Sequence, residues 1–278
     1  PFHHSATYFH YIITSKKHFP IKNVFLYVES NIVIMKKVFL FLYELLIFAP
    51  IFVLATIATA VTVMIGCLVS KNNFWRYNPP RYWSKLGCRL TLSRIKVVKK
   101  GTIDPKQSYV FIANHQGAFD IFLVYGYLGQ DIKWMQKQEL RKIPFVGKAS
   151  EIAGHIYVDQ SSLKSMIASI DKAKAELVDG ASVTIFPEGS RTKTGKMDSF
   201  KKGAFVIARQ MGLPIVPITV NGPYDVMKMH TYLINLGKKM ELVIHEPIPA
   251  DEVANTNLSE LMNKCHDIVY SGLWDKYK

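Results

Sequence analysis

The apolar positions fall into two regimes. From Leu45 to Ser70 there is no Asp, Glu, Lys or Arg in 26 residues. A helix of that length reaches roughly 39 Å, more than the roughly 30 Å hydrocarbon core of a bilayer. The run extends back to Val38 with Glu44 as its one interruption. Pro50 sits inside it, so the run reads either as one membrane helix or as a hairpin of two shorter ones, Val38 to Ala49 and Ile51 to Val69. Lys36 and Lys37 stand on one side, and Lys71, Arg76, Arg81 and Lys85 on the other. Cations at both ends leave the topology open but suit a segment dipping in from one anionic face. Phe74, Trp75, Tyr77, Tyr82 and Trp83 read as an interfacial aromatic belt. Ala58-Thr59-Ala60 imitates an export cleavage site, but the apolar run is far longer than the roughly 7–15 residues of a signal core. Residues 1–34 show no clear periodicity and read as an ill-defined extension ahead of Met35-Lys36-Lys37.

After Lys71 short apolar runs alternate with helical periodicity. Strands are expected at Ile95 to Val98, Tyr109 to Ala113, Asp131 to Met135, His155 to Val158, Val183 to Phe186, Ile215 to Val220 and Leu242 to Ile244. Helices are expected at Ala118 to Leu128, at Gly203 to Met211 before Gly212, and at Leu258 to Leu273. Another should start at Ser161 or Ser162, carry Leu163, Ile167, Ile170 and Leu177 on one face, and stop at Gly180. This alternation predicts an α/β domain with a mostly parallel sheet flanked by helices.

Composition narrows the partners. The 278 residues are 49% hydrophobic and 20% charged, which excludes a disordered chain. A net charge of +14 points to a polyanion: nucleic acid, an anionic membrane or a phosphorylated substrate. No nucleic-acid-binding module appears, and such a partner would leave the apolar N-terminal third unexplained. Three cysteines without a CxxC offer neither a disulfide framework nor a zinc or redox site. His155, Tyr157 and Asp159 alternate on one strand without forming a metal set, and His266-Asp267 reads as surface.

Two constellations carry candidate chemistry. Asn114-His115-Gln116-Gly117-Ala118-Phe119-Asp120 follows an apolar strand, where α/β sheets build their sites. On an unbroken helix His115 and Asp120 would lie roughly 140° apart. They meet only if the chain turns between them, which Gly117 permits. Asp120 would then hold the imidazole, and His115 would act as general base. The alternative is a helix-capping Asp and a surface His. Phe186-Pro187-Glu188-Gly189-Ser190-Arg191-Thr192 follows another strand. It offers a carboxylate for hydroxyls and a guanidinium for phosphate, or else a solvated turn with an ion pair. Lys137, Lys193, Lys196, Lys201 and Lys202 could build a positive wall around an anionic head group, with Lys137 and Lys202 the strongest candidates. Ile215 and Ile218 read as core. No Gly-x-Ser-x-Gly elbow for an acyl-enzyme is present.

In combination these pieces resemble the 1-acyl-sn-glycerol-3-phosphate acyltransferases of the glycerolipid acyltransferase family. The resemblance covers roughly residues 80–250. It rests on Asn114-His115 to Asp120, Lys137 with Ile143-Pro144-Phe145-Val146-Gly147, Phe186 to Thr192, and Val216-Pro217-Ile218, in that order. It implies a glycerolipid-acyltransferase-like α/β fold with an N-terminal membrane helix or helical hairpin. The division it suggests is an extension at 1–34, a membrane segment at 35–78 and a catalytic domain at 79–278. It further implies catalysis by His115 and Asp120. Asn114, Lys137, Glu188, Gly189, Ser190, Arg191 and Lys202 would bind substrate, with Arg191 and Lys137 on phosphate and Glu188 on glycerol oxygens. Backbone N–H groups near Gly117 or Gly189 are the expected oxyanion donors. Neither metal nor cofactor is implied. The partners would be lysophosphatidate, an acyl thioester of coenzyme A or acyl carrier protein, and an anionic membrane, with the catalytic domain on the cytoplasmic face of the cell membrane. One block departs: Val158-Asp159 is followed by Gln160 where the family usually has Arg. That keeps a different lyso-lipid acceptor open, and a non-enzymatic lipid carrier is the reading from another class.

Overall fold

The computed structural model describes residues 21–70, 72–158, 165, 168, 177 and 180–278. Helix α1 (Ile21–Tyr43) passes through one π-helical turn (Glu44–Phe48) directly into α2 (Ala49–Val69). Pro50 therefore does not break the run. It stands in the first turn of α2, and the wider π turn just before it absorbs the missing amide and the ring. Of the two expected arrangements, the continuous helix is the one formed at Pro50. Beyond α2 the chain reverses, and α3 (Phe74–Leu90) folds back along α2.

Two contacts set that antiparallel packing. Trp83 Nε1 donates to Thr56 Oγ1 at 2.9 Å. Farther along, the Trp75 ring lies only 2.4 Å from where a Cβ on Gly66 would sit, so the helices approach this closely because residue 66 has no side chain. Gly66→Ala should overpack this crossing and destabilise by about 1–3 kcal/mol, read as a lower thermal midpoint in detergent. Positions 34/35 and 78/79 both fall inside helices, α1 and α3.

Leu26–Val69 is long and apolar enough to cross a membrane. Its outward side chains, among them Phe39, Leu46 and Leu54, are exposed. At its far end Ala60 and Val63 are buried against Ala149 of α5 (Val146–Ile152) and Ala153 just after it, so the apolar helix is seated on the rest of the molecule.

The remaining strands are β1 (Arg94–Lys99), β2 (Val110–Ala113), β3 (Asp131–Lys137), β4 (Ile156–Val158), β5 (Ala181–Ile185), β6 (Ile215–Asn221) and β7 (Lys239–Ile244). Among the described residues they form one sheet in the order β1-β7-β6-β2-β5-β3-β4, parallel except between β6 and β7. The central strands β2 and β6 are buried throughout, which is why their sequences are apolar runs rather than alternations. One face packs on α4 (Phe119–Tyr127) through Phe119, Leu123 and Val124. The other packs on α6 (Lys202–Met211) and α9 (Leu258–Ser271) through Phe205, Ala208, Leu261 and Cys265. Two shorter helices are α7 (Pro223–Val226) and α8 (Ala250–Asn255). The expected helix through Leu163, Ile167 and Ile170, and the Asp159-Gln160 pair, lie outside the described residues.

The sheet is not continuous at one place. β3 pairs with β5 over Asp131–Trp134, then leaves it and pairs with β4 over Met135–Lys137. The gap opens at the C-terminal end of β5, beside the segment that carries the second constellation.

Candidate active site

β2 ends at Ala113, and Asn114 fastens that end. Its Nδ2 donates to the Val220 carbonyl at 2.9 Å, and its Oδ1 accepts from the Val220 N–H at 2.7 Å. Both amide groups are spent and the side chain is buried, so Asn114 is a staple between β2 and β6, not the substrate ligand expected. Gly117 allows the turn that follows. A Cβ there would meet the carbonyl oxygens of Pro223 and Met227 at 3.1 and 3.2 Å.

The turn brings the predicted pair together. His115 Nδ1 lies 2.6 Å from Asp120 Oδ2, and the same oxygen accepts the N–H of Gln116 at 2.6 Å and of Gly117 at 2.9 Å. Asp120 is fully buried. Burial pushes its pKa up, and the His115 bond and charge, with the two backbone N–H groups, oppose that push. An ionised Asp120 takes Nδ1–H as donor and leaves Nε2 as the basic nitrogen. His115 is a lining residue of a large cavity.

The second constellation clamps the first. Glu188 Oε1 accepts from the His115 N–H at 2.6 Å, and the Thr192 N–H donates to the His115 carbonyl at 2.9 Å. Both backbone groups of His115 are thus held by the segment after β5. Glu188 Oε2 accepts from the Asp198 N–H at 2.9 Å. The buried Glu188 side chain does not line the cavity. Its expected role on glycerol oxygens is therefore corrected: both oxygens hold backbone. Burial pushes its pKa up to about 7, with the Asp198 charge adding to the rise; the two N–H bonds and His115 oppose it. The Phe186 ring stacks on the His115 imidazole at 4.1 Å between centroids, and Trp134 stacks on Phe186 at 6.2 Å.

The cavity measures about 1030 Å³ and opens where β3 parts from β5, so it draws on both faces of the sheet. Ala204, Ile207 and Ile185 line it on one face, Trp134 and Tyr125 on the other, and Thr56, Ala60 and Val63 of α2 close it towards the apolar helix. Lys137, Gly189 and Arg191 also line it. Ser190 and Lys202 are exposed and do not; Lys201, which the sequence reading passed over for its neighbour, does. None of Lys137, Arg191 and Lys201 makes an ion pair among the described residues. Of the N–H groups in the two expected oxyanion regions, that of Gly117 is held by Asp120 and that of Gly189 by the Phe186 carbonyl. The cationic side chains remain as charged donors facing the cavity. His155 also lines it, as a neutral ring: burial and the nearby Lys133 push its pKa down to about 3.

A family model described as Acyltransferase matches residues 94–221. The chain is 33% identical over 160 residues to a chloroplastic 1-acyl-sn-glycerol-3-phosphate acyltransferase of Brassica napus, covering 55% of this chain and 46% of that protein. It is 31% identical over 190 residues to a 1-acyl-sn-glycerol-3-phosphate acyltransferase of Helicobacter pylori, covering 64% of this chain and 80% of that protein. Against the plant relatives the chain thus spans about half their length. The crystal structure of the 1-acyl-sn-glycerophosphate acyltransferase PlsC from Thermotoga maritima has the same fold, with a TM-score of 0.71 at 24% identity over 86% of this chain and 95% of that one.

Proposed function

The chain belongs to the 1-acyl-sn-glycerol-3-phosphate acyltransferase family, and on that premise we propose that it transfers a fatty acyl group from an acyl thioester to the sn-2 hydroxyl of 1-acyl-glycerol 3-phosphate, giving phosphatidate for phospholipid synthesis. The observation that carries this reading is the His115–Asp120 pair, joined at 2.6 Å and set in a cavity lined also by Lys137, Arg191 and Lys201. The donor is acyl coenzyme A or acyl carrier protein.

The chemistry follows from the site. His115 Nε2 takes the proton of the acceptor hydroxyl as its oxygen attacks the thioester carbonyl. Asp120 holds the ring and stabilises the imidazolium. The negative charge that develops on the carbonyl oxygen meets the positive wall of the cavity. As the new C–O bond is kept, the C–S bond breaks. The thiolate leaves with an ordinary thiol pKa of about 8.5, so it needs little acid help. His115 then gives up its proton and is a base again. Apolar lining from α2 and the sheet offers room for acyl chains next to the reacting atoms. The long apolar helix supports a position at a membrane. The excess of cations suits an anionic cytoplasmic leaflet.

The test is acyl transfer by detergent-solubilised protein with both thioester donors and a panel of lyso-lipids. Phosphatidate formation is expected. Acylation confined to another lyso-lipid would move the acceptor, the alternative raised by Gln160. Silence with every pair would favour a lipid carrier.

A further inference from the structure

Lys201 is set apart from the other lysines by its path. Its backbone is extended, just ahead of α6, and its N–H donates to the Pro187 carbonyl at 2.9 Å. The side chain then runs flat across Gly189. Its Cδ, Cε and Nζ atoms lie 3.4, 3.3 and 2.7 Å from where a Cβ on Gly189 would be. Gly189 has φ +78°, so this turn excludes a side chain for two reasons, and the lysine stem fills the room left. The ammonium is carried to the turn that holds Arg191, two residues on. The first turn of α6, through Gly203 and Ala204, lines the cavity beside it and adds the positive end of the helix dipole.

We propose that Lys201, laid over Gly189 and acting with Arg191, binds the phosphate monoester of the acceptor and selects it over lyso-lipids whose phosphate is a diester. A monoester carries about −1.5 to −2 charges near neutrality, and a diester carries about one. Two cations match the first; with the second, one cation is left beside the ligand without a counter-charge. Arg191 supplies a bidentate fork, and Lys201 supplies a point charge on a stem fixed by the glycine turn. The inference deepens the proposed function and rests on it for the identity of the acceptor. The same chemistry exists on the 3′-phosphate of coenzyme A, so the experiment separates the two sources.

Lys201→Gln, Lys201→Arg and the unaltered protein would be compared in two measurements. The first is steady-state kinetics with lysophosphatidate, lysophosphatidylethanolamine and acyl coenzyme A. Lys201→Gln should raise the KM for lysophosphatidate about 10- to 100-fold, leave the KM for acyl coenzyme A nearly unchanged, and shrink the preference over the diester. Lys201→Arg should restore most of the loss. A rise in the KM for acyl coenzyme A alone, or no change in either, overturns the assignment. The second is calorimetric binding of lysophosphatidate without any donor, which needs no turnover. Binding weakened in Lys201→Gln supports the subsite even if acyl transfer to this acceptor is never seen; binding independent of Lys201 overturns it even if transfer is.

Discussion

His115→Ala should abolish acyl transfer, and Asp120→Asn should lower kcat by about 10²–10⁴-fold with both KM values close to those of the unaltered protein. The two losses have different causes. Alanine removes the base. Asparagine leaves it in place but removes its counter-charge. In the native site Asp120 Oδ2 accepts from His115 Nδ1 and from two backbone N–H groups. An asparagine oxygen in that place keeps all three donors and carries no negative charge. Nε2 stays the basic nitrogen, but the imidazolium formed when it takes the hydroxyl proton is no longer stabilised by a buried carboxylate. Because the oxygen can still hold the Gln116 and Gly117 N–H groups, the turn should survive, and a thermal melt should show a modest change. Rates in a pH series with both variants check this. Full activity in Asp120→Asn would mean that the imidazolium does not need the charge of this carboxylate. Loss of activity with collapse of the melt would mean that the residue serves folding first.

Much of this site was legible in the amino-acid sequence because its parts are local. The turn between His115 and Asp120 follows from Gly117, the end of β5 from an apolar run cut short by Pro187, and the end of α6 from Gly212. What depends on pairing between distant segments was not legible. Asn114 and Glu188 read as substrate ligands because they stand in polar blocks at strand ends, but their partners, Val220 and Asp198, are set by how the segments meet. Adjacent lysines at 201 and 202 are indistinguishable by type, and only the start of α6 decides which faces the cavity. Pro50 suggested a break because proline is costly inside a helix. A π turn immediately before it offers the chain a cheaper accommodation that no single residue announces.

The correction at Glu188 has a measurable consequence. If that carboxylate oriented glycerol oxygens, Glu188→Gln would raise the KM for the acceptor. Held as it is, the same change should lower kcat by about 10²-fold, because small misplacements of a catalytic group cost that much, and leave both KM values near normal. A glutamine keeps one acceptor oxygen and sets an NH₂ against a backbone N–H. Either the His115 or the Asp198 N–H then loses its partner in a buried place, at a cost of about 1–3 kcal/mol in stability. Acidity gives a second readout. In the folded protein burial raises the Glu188 pKa to about 7, from an ordinary value of 4.5. Between those two values the folded protein keeps a proton that the unfolded chain has released, so this group favours folding at the acid end, and its contribution is lost as pH rises through about 7. Glu188→Gln should flatten that part of the pH–stability curve, measured by denaturant midpoints across the range. An acceptor KM that rises while kcat and the curve stay unchanged would return Glu188 to the substrate. A fall in kcat together with a flattened curve would mean that its work is to fix the backbone of His115, one step removed from the reacting atoms.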